Sequence, residues 1–512
     1  MKKIGILSVV LIISVFILIN IWWLRVDNKM PIPDTAWHFG ISIAVWNLFF
    51  NFSMEGLRFF AACAWHPPFV GIIVRPFYFL LGHNLDSAVI IMNLIFLPIL
   101  VFSVYGIIKF CTGRAIDGVL GCVVLLSYPE IIILSRYYLL DLPLAAMVSL
   151  SIYSLMRSEL FNFKKYSILF GVAAGFSILT KEIFILFILG PLLYAFSRIN
   201  NKKQIKNFIF SMLLFIFIAG LWYFPVAKTF TLNAIRETDR GILNSYGLFC
   251  NTAPLTKYFT IIGNQTGYIN YIFFCIGLIF FLLKRNKNIG ILIAWLIVSY
   301  LFILSWRMLE DYKFQVSILP AMAIITIVGF SCLTKKLKFF VYPLLFIASI
   351  LQFSASTCNL SWLPYKISLQ KPKVIISLFN RSPIVSQYAA LPFKKERDWH
   401  INEFIEFISE QELLKNEVIF IIPIWHYAYS QAVLNYYACQ QKILVSFVPM
   451  GSGPSDSVAK DKKFRYFLDV DNCQTNSRMR DYIKGNSDKF DLVFKHELFN
   501  GDRVMLYKKK GP

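Results

Sequence analysis

At 512 residues, with 57% apolar composition, 50 Phe and a mean hydropathy of +0.60, the chain is far too apolar for a soluble domain and reads as a polytopic membrane protein. A net charge of +22 would fit nucleic-acid binding, but much of the excess falls in short loops between apolar runs, where Lys and Arg set topology. The nine Cys are scattered without a CxxC or metal-ligand spacing; Cys439 and Cys473 alone share a polar region in which they can pair.

Residues 4–24 form an apolar run after Lys2 and Lys3, with no small-residue cleavage site before WWLRVDNK, so an uncleaved signal anchor is expected. Further runs of spanning length fall near 87–108, 116–134, 139–156, 165–180, 183–198, 207–227, 266–283, 288–306, 314–333 and 339–357, eleven in all. The segment 69–82 is too short and is interrupted by Arg75-Pro76. It fits an interfacial or re-entrant helix, as does 35–50, and Arg75 reads as a snorkelling side chain. The interval 25–86 is then a first outer loop, and 229–263 a long outer loop able to close over a substrate.

Placing the N-terminus inside puts Lys109, Arg114, Arg157, Lys164, Lys165, Arg198, Lys202, Lys284 and Lys335, with their basic neighbours, in inner loops. The acids agree: of thirteen Asp and Glu before residue 366, eleven fall outside and only Asp117 and Glu159 inside. Any chemistry is expected on the outer face. With eleven spans the C-terminus is outside too.

From about 366 the apolar runs shorten to strand length. Residues 399–414 and 428–441 have helical patterns, whereas EVIFIIPI, ILVSFVP, FRYFLDV and FDLVFKH read as strands. A small extracytoplasmic α/β domain over 366–512, with a largely parallel sheet, is expected to follow a membrane domain over 1–365. GSGPSDS (451–457) is turn sequence, not a phosphate loop, and there is no internal repeat.

Ionisable groups beside apolar spans are expensive and therefore mark function by default. The outer side offers Asp34, His38 and His66 in the first loop, Arg136 and Asp141 in RYYLLDLPL, Lys181 and Glu182 in LTKEIF, and Glu310, Asp311 and Tyr312 before the tenth span. Acid and base together suit a membrane-embedded phosphate-bearing substrate: cations for the phosphate, a carboxylate as general base or metal ligand. Plainer readings stand beside these. Asp34 and Asp141 can each cap a helix. Lys181 and Glu182 can be a local hairpin ion pair, and His38 an interfacial amphipath.

The set and order of these stretches resemble the C-type (GT-C) glycosyltransferases, nearest the protein O-mannosyltransferase and aminoarabinose-transferase branch. The resemblance rests on the acid of PDTAWHF (Asp34), on His66-Pro67-Pro68, on Arg136 and Asp141, on GVAAGFSILTKE (Gly171, Gly175, Thr180, Lys181), and on Tyr312 to Pro320-Ala321. It covers residues 1 to about 335. Thr35 stands where the family usually has Glu, and His66 where it often has Lys.

The resemblance implies an integral-membrane glycosyltransferase that moves a sugar from a polyprenyl-phosphate donor to an acceptor hydroxyl, with inversion. The acceptor is a glycan, lipid or protein. Asp34 is then the general base or a metal ligand, and Asp141 orients a basic partner or shares a divalent metal ion with Asp34 and His38. His66, Arg136 and Lys181 neutralise the leaving phosphate, with Glu182 and Tyr312 also in the substrate site. The inner or plasma membrane is the expected location, with no nucleic-acid partner. A transporter of lipid-linked sugars is the other class; it would carry ionisable groups at mid-span and an internal repeat, which this chain lacks. A non-catalytic assembly partner is a third.

Overall fold

A computed structural model describes residues 2–27, 31–50, 53–54, 66–242, 255–283, 289–305, 312–358, 366–369, 374–377, 400–410, 418–421, 429–441, 443, 445–449, 466–470, 482–498 and 502–510. The chain forms two compact units, the first of Met1–Arg25 with Ile41–Leu391, the second of Val26–Gly40 with Pro392–Pro512. The partition is thus not a single cut near 365. Residues 26–40 go with the C-terminal segment because Ala36 is buried in its apolar core.

The first unit is helical, and each apolar run read from the sequence is a helix or a pair of helices in it. In order these are α1 (Lys2–Val26), the end of α2 (Pro33–Phe50), α3 (Phe69–Val74), α4 (Tyr78–Leu81), α5 (Leu85–Thr112), α6 (Ala115–Leu126), α7 (Pro129–Leu134), α8 (Asp141–Arg157) and α9 (Lys164–Ile178). They continue with α10 (Phe184–Phe196), α11 (Lys202–Ile242), α12 (Leu255–Thr266), α13 (Tyr268–Leu283), α14 (Ile289–Ser305), α15 (Leu319–Phe330) and α16 (Lys335–Thr357).

Eleven full spans do not emerge. Among the described residues four helices are long and apolar enough to cross a membrane: Ile4–Val26, Leu85–Thr112, Lys202–Ala227 and Lys335–Thr357. The other apolar helices are shorter. Proline accounts for part of this, because it lacks the N–H a helix interior needs. The expected span 116–134 breaks between α6 and α7 at Pro129, while 69–82, not among the eleven, is interrupted as its sequence suggested, into α3, a 3-10 turn over Arg75–Phe77 and α4. Much of the expected outer loop 229–263 is helical. Helix α11 runs to Ile242 and α12 starts at Leu255, leaving only 243–254 outside the described residues.

The first unit has two chemically distinct ends. Ile6 of α1, Lys109 and Phe110 of α5, Gly113, and Tyr153 and Arg157 of α8 line one cavity of about 760 Å³. Asn20 and Trp23, some fourteen residues and about 20 Å further along α1, meet Ser135 and Arg136 instead. Lys109 and Arg157 therefore lie at one end of the first unit and Arg136 at the other.

In the second unit, α17 (Ile401–Glu410) buries Ile401, Phe404, Ile405 and Ile408, the i, i+3, i+4, i+7 stripe of an amphipathic helix. It packs with α18 (Gln431–Gln440) on a five-stranded sheet of β3 (Val418–Ile421), β4 (Ser446–Pro449), β5 (Tyr466–Val470), β6 (Phe490–Glu497) and β7 (Arg503–Lys509); β1 (Lys366–Leu369) and β2 (Val374–Ser377) form a separate antiparallel pair in the first unit. The strand order is β4-β3-β5-β7-β6. The three strands β4, β3 and β5 are parallel, but β7 pairs antiparallel with both β5 and β6. The sheet is mixed rather than largely parallel, because β7, unread in the sequence, returns directly from β6 as a hairpin.

Candidate active site

The centre of the candidate site is the short turn between α9 and α10, where Lys181 and Glu182 point to different partners. Lys181 Nζ donates to Asp141 Oδ1 at 2.8 Å, and both side chains are 3% exposed. Asp141 is the first residue of α8, which Leu140 caps without a side-chain hydrogen bond. Asp141 therefore does not cap its own helix; it holds Lys181. Glu182 instead faces His66, whose Nδ1 lies 3.0 Å from both carboxylate oxygens. The expected local Lys181–Glu182 pair is thus replaced by two longer-range pairs.

The two pairs differ in access. Asp141–Lys181 is sealed, whereas His66 is 26% and Glu182 32% exposed. Burial alone would raise the Glu182 pKa. The charge of His66, its hydrogen bond and the nearby Lys181 outweigh that and hold the carboxyl below the usual carboxylate range. The backbone keeps His66 in place: Pro67 and Pro68 follow it, and Phe69 N donates to Leu179 O at 3.3 Å, joining this turn to the end of α9. The Phe69 ring stacks on Phe176 at 4.8 Å.

Gly171 and Gly175 set the position of α9. A methyl group on Gly171 would collide with the backbone carbonyl of Ser211, and one on Gly175 would come 2.7 Å from Ile218 Cβ, both on α11. The glycine spacing is a helix-packing face. It delivers Lys181 and Glu182 rather than touching the chemistry.

Arg136 follows α7 and is 2% exposed. Its Nε donates to Asn20 Oδ1 at 3.2 Å, its guanidinium donates to Thr357 Oγ1 at 3.0 Å, and it lies 4.7 Å above the Trp23 ring. Asn20 Nδ2 donates to Ser135 Oγ at 2.8 Å, and Asn93 Nδ2 to the Ser135 carbonyl at 2.6 Å. Arg136 and Ser135 together thus tie α1, α5 and α16 to the loop ahead of α8. Sequence reasoning passed over Asn20, Asn93, Trp23 and Thr357; single amides inside the apolar runs LINIWW and IIMNLIF were the available signal.

Asp34 and His38 sit one turn apart and half-buried on α2, in the stretch that belongs to the second unit. The helix begins at Pro33, so Asp34 is in its first turn, where a carboxylate suits the helix dipole. The side chain of Tyr312 lies outside the described residues, as do Glu310 and Asp311. A metal shared by Asp34, His38 and Asp141 finds no support in the donor set. Asp141 is committed to Lys181, and among the described residues the one cluster of three His, Cys, Asp or Glu groups close enough to hold an ion is elsewhere.

Residues 65–224 match the family described as dolichyl-phosphate-mannose-protein mannosyltransferase, a stretch that contains His66, Arg136, Asp141, Lys181 and Glu182. No curated protein matches the sequence. The structure of ArnT from Cupriavidus metallidurans bound to undecaprenyl phosphate superposes with a TM-score of 0.58 at 12% identity, covering 98% of this chain and 99% of that one. The fold is shared with ArnT over nearly the whole of both chains. The apo form of the same ArnT gives a TM-score of 0.55 at 12% identity, covering 98% and 99%. The arabinofuranosyltransferase AftD from Mycobacteria, in its R1389S form, gives 0.55 at 9% identity, covering 98% of this chain but 41% of that much longer one. The matched family and the proteins that share the fold are glycosyltransferases, and neither comparison favours the transporter.

Proposed function

We propose that this GT-C chain transfers a sugar from a polyprenyl-phosphate donor to an acceptor hydroxyl on the extracytoplasmic face, with inversion. The observation that carries the reading is the Lys181–Glu182 turn. Two adjacent residues fix the acid at the entry of α8 and the imidazole of the His-Pro-Pro turn, and all of them fall within the family-matched stretch. ArnT, with the same fold, binds undecaprenyl phosphate, which supports a lipid phosphate as leaving group.

In this reading the acceptor oxygen attacks the anomeric carbon from the face opposite the phosphate. The bond from that carbon to the phosphate oxygen breaks, and the lipid phosphate leaves with the electron pair. Charge grows on the departing phosphate, so a positioned cation lowers the barrier. His66, half-exposed and backed by Glu182, is the group assigned to that contact. Lys181 and Arg136, which the sequence reading also gave to the phosphate, are engaged with Asp141, Asn20 and Thr357; we assign them to positioning. Asp34 is assigned the acceptor proton, on the resemblance of PDTAWHF to the family's first-loop acid. No step is routed through a metal ion.

Detergent-purified protein given a lipid-phosphate sugar and acceptor should release free lipid phosphate and glycosylated acceptor with no membrane gradient. The lipids of a deletion strain, read by mass spectrometry, should accumulate the intact donor and so name the sugar. Asp34→Asn should abolish turnover while donor binding survives; near-normal turnover would reduce Asp34 to a helix-terminal charge worth a few tenths of a kcal/mol. Protein that moves lipid-linked sugar between leaflets and never alters it covalently would sink the proposal.

A further inference from the structure

A second cluster of ionisable groups lies in the second unit, at the start of α17. His400 directly precedes that helix with φ +53°, in the left-handed region that a residue with a side chain seldom adopts. Its Nδ1 is 2.8 Å from Oε1 of Glu403, one turn along the helix. The third member comes from far along the chain: His496 of β6 places Nδ1 3.7 Å from the other Glu403 oxygen. The two imidazole centroids are 4.3 Å apart with the rings inclined at 45°. One donor atom from each of the three residues lies within 4.8 Å of the other two.

The packing explains the meeting. Phe404 and Phe407 of α17 hold Phe494 of β6 between them, with ring centroids at 5.2 and 4.9 Å. His496 is two residues beyond Phe494 and so leaves the strand on the same face. A bulge between Leu492 and Phe494 breaks the alternation of β6 just before this pair, a common device for re-aiming side chains.

Two imidazoles and a carboxylate are a donor set for a borderline divalent ion such as zinc. Magnesium and calcium prefer all-oxygen surroundings. Charge points the same way. Two protonated imidazoles at this separation repel, whereas a cation takes a lone pair from each neutral ring and balances Glu403. The side chains of His400, Glu403 and His496 are 29%, 54% and 30% exposed, so an ion can enter without unfolding the unit. We propose that His400, Glu403 and His496 bind one borderline divalent cation, zinc foremost, with water completing the tetrahedron. The ion clamps the start of α17 to β6, a strand at the edge of the sheet. None of the three lies in the family-matched stretch, so this site stands or falls independently of the transferase reading.

The test uses the full-length protein in detergent, stripped with chelator and titrated with zinc chloride. One zinc per chain is expected, with a higher unfolding temperature on binding and no competition from millimolar magnesium. Glu403→Ala and His496→Ala should each weaken binding by more than about 100-fold, the upper end of what loss of a mere supporting group costs. Zinc bound equally well by both variants, or not bound by the parent, overturns the proposal. Should the variants fail to fold, zinc-edge X-ray absorption of the parent decides: a shell with two imidazoles and oxygen supports the site, and a sulfur or all-oxygen shell refutes it.

Discussion

Lys181 and Glu182 sit side by side in sequence, yet a change at one should be felt differently from a change at the other. Lys181→Ala strands the Asp141 carboxylate in a site it shares at 3% exposure. Removing one partner of a buried pair costs about 3–5 kcal/mol, whereas replacing both by apolar groups is often neutral. Chemical unfolding in detergent should show Lys181→Ala strongly destabilised and the double change Lys181→Met with Asp141→Leu largely recovered. A single variant of full stability and reduced rate would instead put Lys181 in contact with substrate. Glu182 is a different case, because its pair is half-exposed and the penalty is screened. Its pKa is held below the usual range in the folded state. Its stabilising contribution is therefore complete above the ordinary Glu value of about 4.3 and is lost as pH falls through the lower folded value. The stability gap between the parent and Glu182→Gln should accordingly shrink as the pH is lowered from about 6 to about 3. A gap that widens on acidification would mean that His66 is not its main partner.

Among the elements, α9 shows how a helix far from any substrate can set activity. Gly171→Ala must push apart α9 and α11, because the new methyl meets the Ser211 carbonyl, which is backbone and cannot swing away. Overpacking of this kind costs about 1–3 kcal/mol. Since α9 ends at the Lys181–Glu182 turn, turnover should fall by more than the loss of folded protein explains. Activity per folded molecule, scored against the thermal midpoint, separates the two; an unchanged value would confine Gly171 to stability. The same elements show what was readable beforehand. Apolar runs mark helices because only a helix satisfies its own backbone in lipid, and the alternating runs after residue 399 mark strands. Which lysine meets which aspartate is not written that way. Asp141–Lys181 and His66–Glu182 are separated by 40 and 116 residues; such pairing depends on helix rotation and crossing, which single residues report only through oddities such as Gly171 and Asn20. The break at Pro76 was legible in the sequence, whereas the one at Pro129 fell inside a run read as a single span.

At the scale of the molecule, the expected outer-face chemistry depends on which side of the membrane the C-terminal segment occupies. Reporter fusions or cysteine labelling beyond residue 365 should report the extracytoplasmic side, and a cytoplasmic signal there would remove the basis for an outer-face reaction. Cys111, Cys122, Cys275, Cys332 and Cys358 are free thiols, whereas the Cys439 side chain and Cys473 lie outside the described residues. The make-up of the second unit carries a consequence for biogenesis. Residues 26–40 are among the first to leave the ribosome, but Ala36 packs with side chains from Ile401 to Leu506, which are among the last. At about 5–20 residues per second, the roughly 350 residues between them take about 20–70 s to synthesise. For that interval the stretch bearing Asp34 emerges without its core. A nascent chain stalled before residue 400 should therefore leave this stretch open to protease, while the finished chain protects it.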